Sequence, residues 1–65
     1  MALAALDSAS RLLTAAEAAE LLSIRQSTVE DYARRGIVPS VKIGRHRRFV
    51  ERDVLGYIDS LREQD

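Results

Sequence analysis

The spacing of apolar residues changes twice along this chain, and the two changes bracket the segment from Gly36 to Val50. Before Gly36, apolar side chains recur three and four residues apart, the repeat of helices that each bury one face. Val41-Lys42-Ile43 then alternates apolar with polar, as a half-buried strand does. From Glu51 the helical repeat returns. Gly36 suits the left-handed position that closes a helix, and Pro39 forbids its continuation. The chain therefore reads as mainly α with a small β-hairpin, in the order α-α-β-β-α.

Local signals sharpen this outline. Thr14-Ala15-Ala16-Glu17 has the form of a capping box, in which the Thr hydroxyl takes a free backbone N–H and Glu17 reaches back to the cap. Ala18, Leu21 and Leu22 follow as one stripe, and the small Ala18 and Ala19 allow another helix to approach. This helix is expected to end near Leu22 or Ser23. After the break at Ser23-Ile24-Arg25 a second helix runs toward Gly36, with Val29, Tyr32 and Ala33 on one face and Ser27, Asp31 and Arg34 opposite. Two starts are open for it. Ser27-Thr28-Val29-Glu30 is a second capping box, whereas Ile24 and Val29 would staple a cap at Arg25. Gly44 supplies the hairpin turn, Arg45, His46 and Arg47 fall at or near its tip, and Arg47-Arg48-Phe49-Val50 forms the returning strand. Val54, Leu55, Ile58 and Leu61 mark the last helix, from about Glu51 to Arg62, with Glu51 and Asp53 favourably placed in its first turn. Gly56 weakens that helix by about 1 kcal/mol relative to Ala and marks a candidate close contact. Tyr32, Phe49 and Tyr57 read as core or core-edge residues.

Composition narrows the function. Sixty-five residues make one small domain. No cysteine is present for a disulfide, a thiolate nucleophile or a Cys-based zinc site, and His46 is the sole histidine. These residues offer no catalytic constellation, so neither an enzyme nor a cofactor or metal is expected. No apolar run approaches the length of a membrane span, and the start lacks a basic region before its short apolar stretch, so a soluble cytoplasmic protein is expected. Residues 1–11 are read as a flexible tail, 12–62 as the domain and 63–65 as its end.

Equal numbers of basic and acidic residues conceal a strong asymmetry. Residues 34–52 carry Arg34, Arg35, Lys42, Arg45, Arg47, Arg48 and Arg52 against Glu51 alone, a net +6, while the segments on either side each carry −3. Six of those seven cations are arginine, the residue suited to planar recognition of phosphates and base edges. Such a block points to an anionic partner.

In this setting the sequence resembles a known family. Leu13-Thr14-Ala15-Ala16-Glu17-Ala18-Ala19-Glu20-Leu21-Leu22 is similar to the opening of excisionase-type winged helix-turn-helix domains, relatives of the MerR DNA-binding domain. Ser23 to Val29 resembles their turn and the start of their recognition helix, and Arg35-Gly36-Ile37-Val38-Pro39 the segment that ends it. Val41 to Phe49 resembles the wing, and Glu51-Arg52-Asp53-Val54 the start of the closing helix. The resemblance runs in unbroken order over about residues 12–62. It implies double-stranded DNA as partner, with the helix from about Gln26 to Arg35 in the major groove. Arg25, Gln26, Ser27 and Thr28 would then lie near the bases. Arg45, His46, Arg47 and Arg48 of the wing would follow the backbone or enter a minor groove, and Arg34, Arg35 and Lys42 would contact phosphates. Two positions depart from the pattern. Asp31, with Glu30 beside it, stands where a basic or neutral residue is usual, and Arg25 where a small capping residue is usual. A carboxylate there repels phosphate, accepts from a cytosine amino group, or pairs with Arg34 or Arg35.

The role implied first is that of an excisionase, or recombination directionality factor, of bacterial or phage origin and associated with the nucleoid. Several copies would bind adjacent sites, associate with one another and bend DNA for an integrase; small size without an effector region favours this role. A minimal MerR-like transcriptional regulator is the alternative within the same fold. A protein-interaction adaptor that uses the wing against an acidic partner is the alternative from another class.

Overall fold

The computed structural model describes residues 11–62. Its elements are β1 (Leu12–Leu13), α1 (Ala15–Leu22), α2 (Gln26–Arg34), β2 (Val41–Ile43), β3 (His46–Val50) and α3 (Glu51–Arg62). The three helices and the hairpin follow the expected order. The strand β1 is an addition to it. It pairs antiparallel with β3, Leu12 opposite Val50 and Leu13 opposite Phe49, so the sheet has three strands in the order β1-β3-β2. Two residues are too few to show a period, and only the pairing with β3 defines them as a strand. Of the tail expected over residues 1–11, residues 1–10 lie outside the described residues. Arg11 is described: its carbonyl accepts from the Glu51 N–H at 2.8 Å, and its side chain meets the Glu51 carboxylate at 3.6 Å.

Thr14 caps α1 as its sequence requires. The Glu17 N–H donates to Thr14 Oγ1 at 3.2 Å, and the Thr14 N–H donates to Glu17 Oε1 at 2.9 Å. At the other end Ser23 takes the left-handed conformation, φ 59°, and its N–H and that of Ile24 close the last carbonyls. α2 begins at Gln26 with Arg25 as its cap residue, so the Arg25 start is the one adopted. Arg25 makes no side-chain capping bond. Gly36, at φ +76°, follows the end of α2, and the Ile37 N–H donates to the Tyr32 carbonyl at 2.8 Å.

The core is small and sets Phe49 and Leu13 among valines and alanines. Leu13, Ala18, Ala19, Val29, Ala33, Val38, Phe49 and Val54 are buried, with Ala15, Leu22, Tyr32, Tyr57 and Ile58 packed around them. Ala18 and Ala19 let α1 and α2 come together, as their size suggests. The inward face of α1 is therefore the buried Ala18 and Ala19 with the half-buried Leu22, while Leu21 is exposed. Val41 and Ile43 are exposed too, not half-buried. They pair with Arg48 and His46, on the face of the sheet opposite to that of the buried Phe49. On α3, Val54 is buried, but Leu55 is a hundred degrees further round and exposed. Leu61, one turn past Ile58, is exposed as well. Gly56 marks no close approach, because a Cβ there would meet nothing within 4 Å.

Candidate nucleic-acid interface

Alternation along β3 sets the direction of Arg47. Phe49 enters the core, so Arg47, two residues nearer the tip, lies on the same face and turns toward the helices. Its partner in register is Lys42. Two cations thus stand directly opposite each other, an arrangement that destabilises a strand pair unless an anion lies between them. Among the described residues Arg47 finds only partial relief, donating from Nη1 to Ser40 Oγ at 2.6 Å. Arg48 donates from Nη1 to the Arg47 carbonyl at 2.9 Å. Lys42 and Arg45 have no side-chain partner among the described residues.

The wing closes in a tight turn. Ile43 and His46 close a two-residue loop of Gly44 and Arg45, with φ +63° at Gly44 alone, as a type II′ turn requires. Arg45 is therefore at the tip and His46 begins the returning strand.

Across from the wing runs α2. Gln26, Glu30 and Arg34, four residues apart, form one ridge along it. Between the two is an open cleft of about 480 Å³, lined by Gln26, Glu30 and Arg34 from α2, by Lys42, Arg45, His46, Arg47 and Arg48 from the hairpin, and by Thr14, Ala15 and Ala16 from the start of α1. Seven of the eleven residues expected at the interface therefore meet in one place: Gln26, Arg34, Lys42, Arg45, His46, Arg47 and Arg48. Arg25, Ser27, Thr28 and Arg35 do not line it. Arg35 instead donates to Asp31 Oδ2 at 3.0 Å, and Arg34 to Asp31 Oδ1 at 3.2 Å. Thr28 is half-buried beside Val29.

Three lining residues, Thr14, Ala15 and Ala16, lie outside the segments expected at the interface. Their capping box locates the start of α1, but only the packing of α1 against α2 and β3 turns that start toward the wing. Glu30, which the sequence offers as a helix-surface carboxylate beside Asp31, is brought into the cleft.

A model of the helix-turn-helix domain matches residues 12–62, which spans β1 through α3. The chain belongs to the helix-turn-helix domain family. This membership covers most of its length and supports DNA binding by the helix-turn-helix domain. No curated protein and no solved structure matches the chain. The three helices and the small antiparallel sheet are those of a winged helix-turn-helix, in which β2 and β3 are the wing. Proteins of this family are typically not enzymes. No helix among the described residues is long and apolar enough to cross a membrane.

Proposed function

We propose that this helix-turn-helix domain binds duplex DNA with α2 in the major groove and the wing against the backbone, and that its task is that of an excisionase-like architectural factor. The observation that carries the binding mode is the facing of Lys42 and Arg47 across the cleft from the Gln26–Arg34 ridge. A phosphate chain passing through that cleft relieves the opposed cations, while Gln26 at the exposed start of α2 is left toward the base edges. Gln pairs with adenine through two hydrogen bonds, so Gln26 reads sequence. Arg45, Arg47, Arg48 and Lys42 position the protein without specifying sequence. The recombination role is supported by the resemblance of residues 12–62 to excisionase-type domains. One domain of this size covers little DNA, so several copies on adjacent sites, with an integrase beside them, supply the affinity.

Two measurements test this reading. In salt titrations of duplex binding, Arg45→Ala weakens every sequence alike and lowers the salt slope by about 0.9, the share of one neutralised phosphate. Gln26→Ala instead changes which sequences bind. An Arg45→Ala protein with unaltered affinity and slope would show the wing assignment to be wrong. For the biological role, genomic fragments selected by the protein should carry repeated sites beside a recombination junction. Enrichment at promoters instead would replace excision with transcriptional regulation.

A further inference from the structure

We infer that Glu30 is a specificity-determining residue: its carboxylate accepts a hydrogen bond from a cytosine amino group in the major groove and holds Gln26 in place to read a neighbouring base. The inference rests on the proposed placement of α2 and extends it to a residue of opposite charge. Among the described residues Glu30 is the one acidic side chain lining the cleft, against five Lys and Arg residues. It is half-buried on the ridge, one turn from Gln26 on one side and one turn from Arg34 on the other. Its Oε2 accepts from Gln26 Nε2 at 3.1 Å. A Gln–Glu pair at this spacing also occurs on helix surfaces that bind nothing. The position in a basic cleft sets this one apart.

The chemistry follows from what each group can donate. An amide nitrogen has two hydrogens, so a bond to Glu30 leaves Gln26 one N–H and its carbonyl oxygen, the pair that adenine requires. Held by Glu30, the amide keeps one orientation before DNA arrives, which reduces the ordering cost of the contact. The carboxylate itself is acceptor-only. In the major groove it is matched by the amino groups of cytosine and adenine, and repelled by guanine O6 and N7 and by thymine O4. Phosphates repel it on any sequence. Glu30 therefore works largely by rejection: it lowers affinity for wrong sequences more than for the right one. Gln26 and Glu30 are separated by about 6 Å along the helix, against about 3.4 Å per base pair. The adenine and the cytosine they read thus fall within about two base pairs of each other.

The test uses the full chain with three kinds of duplex: the site recovered by genomic selection, that site with each base pair changed in turn, and a scrambled duplex, all at one salt concentration. Wild-type protein should lose about fivefold or more in affinity when the cytosine is changed. In Glu30→Gln and Glu30→Ala that preference flattens to within about twofold, and affinity for the scrambled duplex rises about three- to tenfold. Glu20→Gln makes the same charge change on the exposed side of α1, in the other cleft of the molecule, and leaves both quantities within about twofold of wild type. Glu30 variants that keep every base preference and the same scrambled affinity would overturn the inference while leaving the placement of α2 intact. An equal gain in Glu20→Gln would also overturn it, because the effect would then be bulk charge. Wild-type protein that binds no duplex would remove the placement of α2 and this inference together.

Discussion

Glu30 and Asp31 are adjacent in sequence and a hundred degrees apart on α2, and that rotation separates their roles. Asp31 lies off the cleft and holds Arg34 and Arg35 in two exposed ion pairs. Exposed pairs of this kind contribute only about 0–1 kcal/mol, so their effect on the fold is slight. In the proposed binding mode they matter more, because both guanidinium groups are engaged before a phosphate arrives. Asp31→Asn should leave the melting temperature nearly unchanged, strengthen binding to every duplex and steepen the salt dependence, as a titration of a scrambled duplex would read. A loss of affinity would instead make Asp31 a DNA-contacting residue. The pairing of Asp31 with Arg34 and Arg35 is legible from their spacing of three and four. Which of the two carboxylates faces the wing is not, since that depends on how α2 is rotated against α1.

Among the elements, the hairpin depends most on a single backbone conformation. Gly44 has φ +63°, and a Cβ at that position would find nothing within 4 Å, so substitution there meets no neighbour and acts through the backbone alone. An L-residue in the left-handed region costs about 1–2 kcal/mol. Gly44→Val should therefore destabilise the domain by about that amount in thermal unfolding and weaken binding to all duplexes, with sequence preference retained through α2. Unchanged affinity would show that the tip is not needed for the backbone contact. The helices are the more legible elements, because a capping box at Thr14, a glycine at 36 and a proline at 39 act within a few residues. β1 is not legible. Leu12 and Leu13 carry no local signal of a strand, and their conformation follows from pairing with residues nearly forty positions away.

In the molecule as a whole, β1 and the residue before it do two jobs. Leu13 fills the core opposite Phe49, and Arg11 receives the first N–H of α3. A chain this small has little stability to lose, since such a core rarely supplies more than about 3–5 kcal/mol. Leu13→Ala, at a cost of about 2–5 kcal/mol, should leave much of the population unfolded at 25 °C, and circular dichroism would show helix and wing melting together. If the helices survived while the wing alone loosened, the sheet and the helix pair would be separate folding units. Zero net charge is likewise no guide to the behaviour of the assembled molecule. Five Lys and Arg side chains line one cleft, while Glu17, Glu20 and Glu51 gather at another on the α1 side.

Sequence alone is enough to establish the order of helices and hairpin and the concentration of positive charge in residues 34–52, because each is written in neighbouring residues, while the start of α2 stays open between two caps. It also identifies seven of the side chains that line the cleft. Burial is less legible. The alternation of Val41 and Ile43 promises a covered face, and Leu21, Leu55 and Leu61 promise wider helix contacts, yet all are exposed. Periodicity shows which residues share a face but not whether another element is available to cover it. Among the described residues the core gathers on the Phe49 side of a narrow sheet, and Val41 and Ile43 on its other side are left exposed. The start of α1 and Glu30 join the cleft for the same reason: their position there depends on how separate elements dock around Phe49, Leu13 and the paired alanines of α1.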